Sequence, residues 1–306
     1  MDSITHALLV ATLLIAIKAP ALIPFGILGA VILDADILFY LVSSKRPSLY
    51  IFIHGGAAHS IAGAVSMAVI AFGALYCFAS AWKYFLPFTL PFTFTLIALL
   101  AVITGALLHV SIDFLASPGI PLFWPWTDTK YTPGIFAGPS VVMIVVSWGF
   151  LIFLIVGILQ ISALIFYGIL FLAYLAISVT IRIAAAVKIK GKLYPTTNPL
   201  RWLAIVKLKN CWSIQFVNLL TGPEPGNRTW PALRGVTDKD MDLISGIPEV
   251  RRVRYHSCFT IAERNENMDV VIQDPLRVEG IIRYPPYYAR IIVKQKDGGE
   301  WEAVTG

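Results

Sequence analysis

Long apolar stretches separated by short polar breaks dominate the first 187 residues. Four of these stretches lie at residues 7–17, 21–42, 61–82 and 92–116. The uncharged run from Tyr131 to Ile181 is long enough for two more, with a turn near Gln160. About 20 apolar residues are needed to cross the hydrocarbon core of a bilayer. The pattern therefore predicts six membrane segments, of which the first is marginal in length.

The pattern changes after Pro195, where short β-type runs alternate with turn residues. Such runs predict strands, and they occur at Trp202–Lys207, Ser213–Leu219, Val253–Ile261, Val270–Ile272 and Tyr288–Val293. The stretch 237–246 instead predicts one short helix with an N-cap. The predicted fold class is mostly α: a polytopic transmembrane helical bundle of about five to six segments over residues 1–190, with a small β-rich C-terminal soluble domain over residues 195–306.

The composition is that of a membrane protein, with 57% apolar residues, 14% charged residues and a mean hydropathy of +0.74. Residues 1–187 contain six Lys and Arg against five Asp and Glu, whereas residues 188–306 contain eighteen against thirteen. A basic tail beside a bilayer favours attraction to anionic membrane lipid. No basic motif interleaved with aromatic residues is present, so we expect no direct nucleic-acid binding.

Basic residues also orient the chain, because Lys and Arg concentrate on the cytoplasmic side of membrane segments. Lys188, Lys190 and Lys192 follow the last segment, and Lys45 with Arg46 lies in the loop after the second. Six segments place both groups on the same side. We therefore predict a multi-pass protein of the inner or plasma membrane, with its N-terminus and C-terminal domain in the cytoplasm.

Ionisable residues in the apolar part form four short clusters. They hold four of the five histidines and four of the five acids of residues 1–187, as Asp2/His6, Asp34/Asp36, His54/His59 and His109/Asp113. An ionisable side chain in lipid costs from about 2.5 to more than 10 kcal/mol, so it is expected to face the bundle interior and carry function. Histidine and carboxylate side chains together form a typical set of metal ligands.

The predicted topology brings all four clusters to the cytoplasmic side. Asp2/His6 and His109/Asp113 are pairs four residues apart, so each pair shares a helix face. His54 and His59 are five apart and are expected to lie across a loop-to-helix transition, where Gly55 and Gly56 permit an unusual backbone. A single such cluster is more often an interfacial or capping group, but four that meet on one side favour a common site.

Eight candidate ligands exceed the four of one tetrahedral zinc site. The number suits two ions with a bridging water, or one ion with orienting and acid–base groups around it. We therefore expect one or two divalent metal ions, with Zn²⁺ first among them. Asp2 is the weakest member, because an acid at a helix N-terminus is ordinary capping.

At these residues the chain resembles the YdjM/YbcI-like family of inner-membrane metal-dependent hydrolases, some of which are described as LexA-binding. The matching stretches are MDSITH (1–6), LDAD (33–36), HGGAAHS (54–60) and GALLHVSIDFLASPGIPLFWPW (105–126). The resemblance covers roughly residues 1–140, and residues 195–202 also look like the junction into a C-terminal extension found in some members.

The resemblance implies a metal-dependent hydrolase, similar in pattern to zinc-dependent phospholipase C and single-strand nucleases, which also use His-x-x-x-Asp on helices. Carried over by position, the metal-site residues are His6, Asp34, Asp36, His54, His59, His109 and Asp113. Members often have Arg, Thr and Pro where this chain has Gly55, Ala58 and Leu33. The missing arginine removes an obvious phosphate clamp, which weakens the expectation of a phosphoester substrate.

These features predict a membrane-bound metal-dependent hydrolase with its site at the cytoplasmic membrane face and a lipid-derived or phosphoester substrate. Asp36 or Asp113 is the expected general base. An ion-handling transporter would instead spread the clusters through the membrane depth and show a pseudo-repeat between halves, and neither feature is present. A non-catalytic membrane adaptor, whose β-rich domain recruits a protein partner, would have a structural site closed by four protein ligands.

Overall fold

The computed structural model describes residues 2–82, 93–138, 140–282, 288–296 and 299–304. The chain forms two compact units. The first comprises Met1–Tyr40, Phe52–Lys188 and Tyr194–Trp202. The second comprises Leu41–Ile51, Ile189–Leu193 and Leu203–Gly306. The short segment Leu41–Ile51 thus belongs to the unit that contains the C-terminal part of the chain, although both of its ends continue into the first unit.

The apolar stretches form helices. In chain order the α-helices are α1 (Ser3–Ala16), α2 (Ile23–Ile32), α3 (Tyr40–Lys45), α4 (Ile61–Trp82), α5 (Leu96–Leu115), α6 (Val141–Ile155) and α7 (Leu164–Lys188). Short 3-10 helices lie at Pro20–Leu22, Leu33–Phe39, Pro47–Phe52, Ala57–His59 and Ile161–Ala163. Two short parallel strands, β1 (Ala116–Ser117) and β2 (Phe136–Ala137), pair within the loop that follows α5.

Four helical stretches of the described chain are long and apolar enough to cross a membrane: Pro20–Lys45, Ile61–Trp82, Leu96–Leu115 and Ile161–Lys188. Helices α1 and α6 are also apolar but have only 14 and 15 residues. Together with the strands of the C-terminal part, these helices confirm the predicted fold class. Residue 92, the first of the predicted segment 92–116, lies outside the described residues.

Small residues allow α2 and α5 to approach each other closely. A Cβ atom added to Gly29 would lie 1.9 Å from the carbonyl oxygen of Val102, and one added to Gly105 would lie 2.1 Å from the carbonyl oxygen of Gly26. Helices within membranes commonly pack through small residues in this way, because van der Waals contact replaces the hydrophobic effect there. This contact fixes the end of α2, which precedes Asp34, beside the helix that carries His109.

A chain of buried hydroxyl groups connects α1, α6 and α7. The Thr5 hydroxyl lies 2.7 Å from that of Ser147, which in turn lies 2.7 Å from the Tyr167 hydroxyl. All three side chains are fully buried. Each hydroxyl therefore finds a hydrogen-bond partner inside an apolar environment, where an unpaired polar group would be costly.

The C-terminal part is rich in strands. They are β3 (Lys192–Pro195), β4 (Arg201–Lys207), β5 (Cys211–Asn218), β6 (Gly222–Pro223), β7 (Arg228–Pro231), β8 (Leu233–Arg234), β9 (Ile261–Arg264), β10 (Val270–Gln273), β11 (Arg290–Gln295) and β12 (Trp301–Val304). One sheet has the order β3-β4-β5-β6 with β7 paired to β5, and the other has the order β12-β11-β10-β9-β8. The predicted strands near residues 202, 213, 270 and 288 are therefore confirmed.

Three short helices accompany the sheets: α8 (Asp238–Ile244), α9 (Pro248–His256) and α10 (Pro275–Val278). The predicted helix at 237–246 is confirmed as α8, which begins at a Thr237–Asp240 capping box.

The predicted strand Val253–Ile261 is wrong, because its first residues belong to α9 and only Ile261 begins a strand. Pro248 starts this helix at a position that needs no N–H donor. Val250 and Val253 are buried while Arg251 and Arg254 are exposed, so the apolar spacing is that of a helix.

Candidate metal centre

The four ionisable clusters lie at the ends of structural elements rather than within long helices. Asp34 and Asp36 belong to the 3-10 stretch that continues α2, and His59 ends the short 3-10 turn before α4. His109 and Asp113 occupy the last two turns of α5, and His6 lies in the first turns of α1. Because the chain can change direction at the ends of these elements, side chains from four elements can converge on one site.

The backbone between His54 and His59 has the unusual conformation predicted for it. Gly55 has φ +75°, in the left-handed region that favours glycine. The 3-10 turn that ends at His59 follows directly. This turn carries the two imidazole rings to a separation of 5.0 Å, with their planes nearly perpendicular.

Four donor atoms converge at the centre of the cluster: His59 Nε2, His109 Nε2, Asp34 Oδ1 and Asp113 Oδ2. The two histidine nitrogens lie 3.2 Å apart. Asp34 Oδ1 lies 3.7 and 3.6 Å from them, and Asp113 Oδ2 lies 3.5 and 3.3 Å from them. Two atoms that each ligate a tetrahedral zinc ion at about 2.0–2.2 Å are about 3.4 Å apart. The five separations that involve a histidine nitrogen are therefore close to the edges of such a tetrahedron.

In each central histidine, Nδ1 faces away from the other ring and lies beside an oxygen atom of a neighbouring residue. His109 Nδ1 lies 2.6 Å from the carbonyl oxygen of Ala30, to which it can only donate. His59 Nδ1 lies 3.0 Å from Asp36 Oδ2, within ion-pair distance but without hydrogen-bond geometry. A proton on Nδ1 leaves the Nε2 lone pair directed inward, and histidine ligands of metals are typically oriented in this way.

Asp36 also holds His54 at the edge of the centre. Its Oδ1 atom accepts a hydrogen bond of 2.8 Å from His54 Nδ1. The Asp36 side chain is 1% exposed and that of His54 is 26% exposed, whereas His6, His59 and His109 are fully buried. His54 is thus the histidine of this cluster with access to an incoming molecule.

His6 packs on the opposite side of His109. The two rings are stacked with their centroids 3.7 Å apart. His6 Nε2 lies 3.3 Å from Asp113 Oδ1, but neither ring nitrogen of His6 makes a hydrogen bond within the described part of the chain. A fully buried imidazole without such bonds is costly, and ligation of a metal ion would satisfy it.

The residues therefore fit a divalent metal ion. Three overlapping groups within the described residues place their ligand atoms within 4.8 Å of one another: His6/His109/Asp113, Asp34/His59/His109 and Asp36/His54/His59. Nitrogen and carboxylate donors of this kind suit Zn²⁺ and other divalent transition metals. The overlap at His59 and His109 means that these groups compete for the same donors.

Without a metal ion, the centre favours a protonated histidine. Burial opposes protonation of His59, but the carboxylates of Asp34 and Asp36 outweigh it and raise the pKa of His59 to about 10. The same carboxylates would therefore also stabilise a cation bound beside this histidine.

All seven residues predicted for the site lie in this one cluster. Asp2 lies outside it as the N-cap of α1, where it accepts a hydrogen bond from the Thr5 amide. Two further contributors were not predicted from the sequence: the Ser3 hydroxyl, which donates to Asp34 Oδ2, and the Ala30 carbonyl, which accepts from His109 Nδ1. Ser3 lies within the MDSITH motif and could have been suspected, but a backbone carbonyl leaves no signal in a sequence.

Comparison with family models gives a match to the YdjM inner membrane protein family over residues 1–187. Comparisons with curated proteins and with solved structures give no match. The matched region contains every residue of the candidate metal centre and more than half of the chain, and it extends beyond residues 1–140, the stretch that the resemblance covered. The chain therefore belongs to the YdjM inner membrane protein family.

Proposed function

We propose that this protein is a membrane-bound, metal-dependent hydrolase whose His/Asp centre lies at the cytoplasmic face of the inner or plasma membrane. The observation that carries the proposal is the set of four converging donor atoms from His59, His109, Asp34 and Asp113. When bound there, a divalent ion such as Zn²⁺ supplies Lewis acidity, which polarises a scissile bond and lowers the pKa of a coordinated water to about 7.

The two oxygens of Asp113 face different histidines. Oδ1 lies near His6, whereas Oδ2 lies near His59 and His109. Asp113 could therefore help to hold two ions, one together with His6 and His109 and the other together with His59 and Asp34. With three protein donors each, both ions would keep an open position, as catalytic zinc sites do.

The chain also offers groups for proton transfer at the edge of this centre. Asp36 and Asp113 are the predicted general bases. Asp36 is engaged by His54 and His59, and its contact with the partly exposed His54 gives it a route to a bound substrate. In this arrangement Asp36 orients His54, and the His54 imidazole contacts the substrate.

The position of the centre favours a lipid-derived or other amphiphilic substrate, including a phosphoester. Asp34 and Asp36 lie within the candidate span Pro20–Lys45, and His109 and Asp113 end the candidate span Leu96–Leu115. A substrate held in the membrane would reach such a site without leaving the bilayer. The lysines at 188, 190 and 192 support a multi-pass arrangement with a cytoplasmic C-terminal domain.

A panel of lipid phosphoesters and carboxylic esters tests the proposal directly. The full-length protein in lipid nanodiscs would be loaded with two equivalents of Zn²⁺ and assayed for release of the cleaved group. We expect turnover that disappears with a chelator and in His109→Ala, but persists in Asp128→Ala, which changes an exposed loop acid. Metal-loaded protein that cleaves nothing on the panel would overturn the assignment of substrate class.

A second candidate, a non-catalytic adaptor with a structural metal, is favoured by the same four donors if they surround one ion. Four protein ligands close a tetrahedral site and leave no position for water. Metal stoichiometry separates the two functions. Two ions per chain and a cobalt spectrum that changes with added azide would support the hydrolase, whereas one ion and an unresponsive spectrum would support the adaptor.

A further inference from the structure

We propose that Arg252, on α9, is a positioning residue that sets the geometry of Asp36 and His54 through the segment Leu41–Ile51, which we call the connecting segment. This inference rests on the metal centre of the proposed function. The described contacts of the Arg252 guanidinium are with Ser43 and Tyr288, neither of which belongs to that centre. Arg252 acts through a stretch of chain whose two ends lead directly into two of the metal motifs.

The connecting segment is held by α9 within the second unit. Arg252 Nη1 donates a hydrogen bond of 3.1 Å to the carbonyl oxygen of Ser43. Further along the segment, the Tyr50 ring lies 5.2 Å from that of Tyr255, one turn of α9 away from Arg252. Ser43 is fully buried, so the segment is packed at this point rather than exposed to solvent.

The burial of Arg252 is difficult to explain by local stability alone. The side chain is 7% exposed, and within the described residues it forms no ion pair. Its guanidinium lies 4.1 Å from the centre of the Tyr288 ring and donates to the Ser43 carbonyl. Burial of a cation without a carboxylate costs free energy, and here that cost is offset by contacts that anchor the connecting segment.

The connecting segment is part of a closed loop. Asp36 precedes it and His54 follows it, and these two residues hydrogen-bond to each other at 2.8 Å. The 17 residues between them, 37–53, must therefore begin and end at one point. Closing such a loop costs conformational entropy. An anchor inside the loop removes part of that cost in advance, which pre-organises the Asp36–His54 pair.

The anchor also explains why Leu41–Ile51 groups with residues 203–306 although the chain on both sides belongs to the first unit. Any rearrangement of α9 that releases Ser43 frees the loop that Asp36 and His54 close. Since Asp36 orients His59 as well, the effect extends to a central ligand. The metal affinity of the centre should therefore depend on a residue far from it in sequence.

Full-length Arg252→Met, Arg252→Lys and Arg251→Met variants test this inference. Arg251 is an exposed neighbour on the same helix and serves as the matched control. Hydrogen exchange of metal-free protein would be followed in peptides covering residues 33–40, 41–51 and 52–56. Titration with Co²⁺ alone would then report the affinity and the ligand-field spectrum of the centre.

We expect Arg252→Met to speed exchange in all three peptides and to weaken Co²⁺ binding about three- to tenfold, a range typical of mutations that act through another residue. Arg252→Lys should recover part of both effects, and Arg251→Met should match the wild type. Faster exchange confined to residues 41–51 with unchanged Co²⁺ affinity would overturn the inference. Equal losses in the Arg251→Met control would do so as well.

If Arg252→Met also speeds exchange in β9 and β10, the substitution destabilises the C-terminal part of the chain itself. Tyr50→Leu then serves as the second variant, because it changes the connecting segment and leaves α9 intact. A wild-type protein that binds no Co²⁺ would refute the proposed function. The exchange of residues 33–40 and 52–56 in metal-free protein would still decide whether Arg252 positions the loop.

Discussion

The Nε2 atoms of His59 and His109 face each other at 3.2 Å, while the Nδ1 atoms on the outside lie 3.0 Å from a carboxylate oxygen of Asp36 and 2.6 Å from the Ala30 carbonyl oxygen, respectively. Two imidazoles protonated on Nδ1 bring two lone pairs together, which is unfavourable unless a cation lies between them. In the absence of metal a proton fulfils this role, in keeping with the raised pKa of His59. The pair is thus arranged for a cation.

Removal of a central ligand should abolish tight metal binding. We expect Asp34→Ala and His109→Ala to lose Zn²⁺ affinity by more than the roughly 10–100-fold that follows loss of an orienting partner. Asp128→Ala, in an exposed loop, should retain wild-type metal content. Elemental analysis of purified, dialysed protein measures the result. Wild-type metal content in both ligand variants would show that the centre is not a metal site.

Asp36→Asn should weaken metal binding without changing its stoichiometry. The amide keeps the size of the side chain but removes the charge that holds His54 and His59. Loss of such an orienting carboxylate typically costs roughly 10–100-fold in metal affinity. Competition titration with a chromophoric chelator provides the affinity and the number of ions. Loss of one complete equivalent would instead identify Asp36 as a ligand of a second ion.

The helices and the convergence of the clusters could be predicted from the sequence, because both depend on the difference between apolar stretches and the few ionisable residues within them. An aspartate or histidine inside apolar sequence is visible without any structure, and the order of the segments sets the side on which it lies. The division of roles, with His59 and His109 as central donors and Asp36 as an orienting group, was not predictable from the sequence. It depends on which ring nitrogen of each histidine faces inward. That choice follows from tertiary contacts such as the one with Ala30.

The helix α9 and the connecting segment illustrate a second limit. The run Val253–Ile261 contains β-type residues, yet Pro248 and the packing of Val250 and Val253 make its first part helical. Local propensity is a weak signal, and tertiary contacts often override it. The association of residues 41–51 with this helix joins parts of the chain about 200 residues apart, as in the bond from Arg252 to Ser43. Neither partner has a sequence pattern that indicates the other.

The capping box of α8 should make that helix sensitive to acid. Hydrogen bonds from the Thr237 amide and hydroxyl lower the pKa of Asp240, with a further contribution from Arg264 at 2.9 Å. A carboxylate with a depressed pKa stabilises the fold above its ordinary pKa of about 3.9, and this stability is lost as the pH falls through the lower, folded-state value. The contribution should therefore be complete at pH 7.

Asp240→Asn tests this contribution. We expect the variant to destabilise α8 by on the order of 0.5 kcal/mol at pH 7, as for a partly exposed ion pair. Hydrogen exchange of residues 237–245 measures the change as a roughly twofold increase in opening. The difference between variant and wild type should shrink as the pH falls below about 4. A difference that persists at low pH would assign the effect to lost packing rather than to charge.

The close contact between α2 and α5 should control both stability and metal binding, because it places Asp34 beside His109. A methyl group on Gly29 or Gly105 would overlap a backbone carbonyl at 1.9 or 2.1 Å, and backbone cannot move aside cheaply.

We expect Gly29→Ala and Gly105→Ala to lower the thermal unfolding temperature in detergent, with a cost of roughly 1–3 kcal/mol or more, and to weaken Zn²⁺ binding. Gly73→Ala and Gly149→Ala are the matched controls, since among the described residues no atom outside the backbone of the same helix lies within 4 Å of the added Cβ. Alanine is the better helix former, so these controls should be neutral or slightly stabilising. Equal losses in all four variants would mean that helix glycines in general, rather than the α2–α5 contact, support the centre.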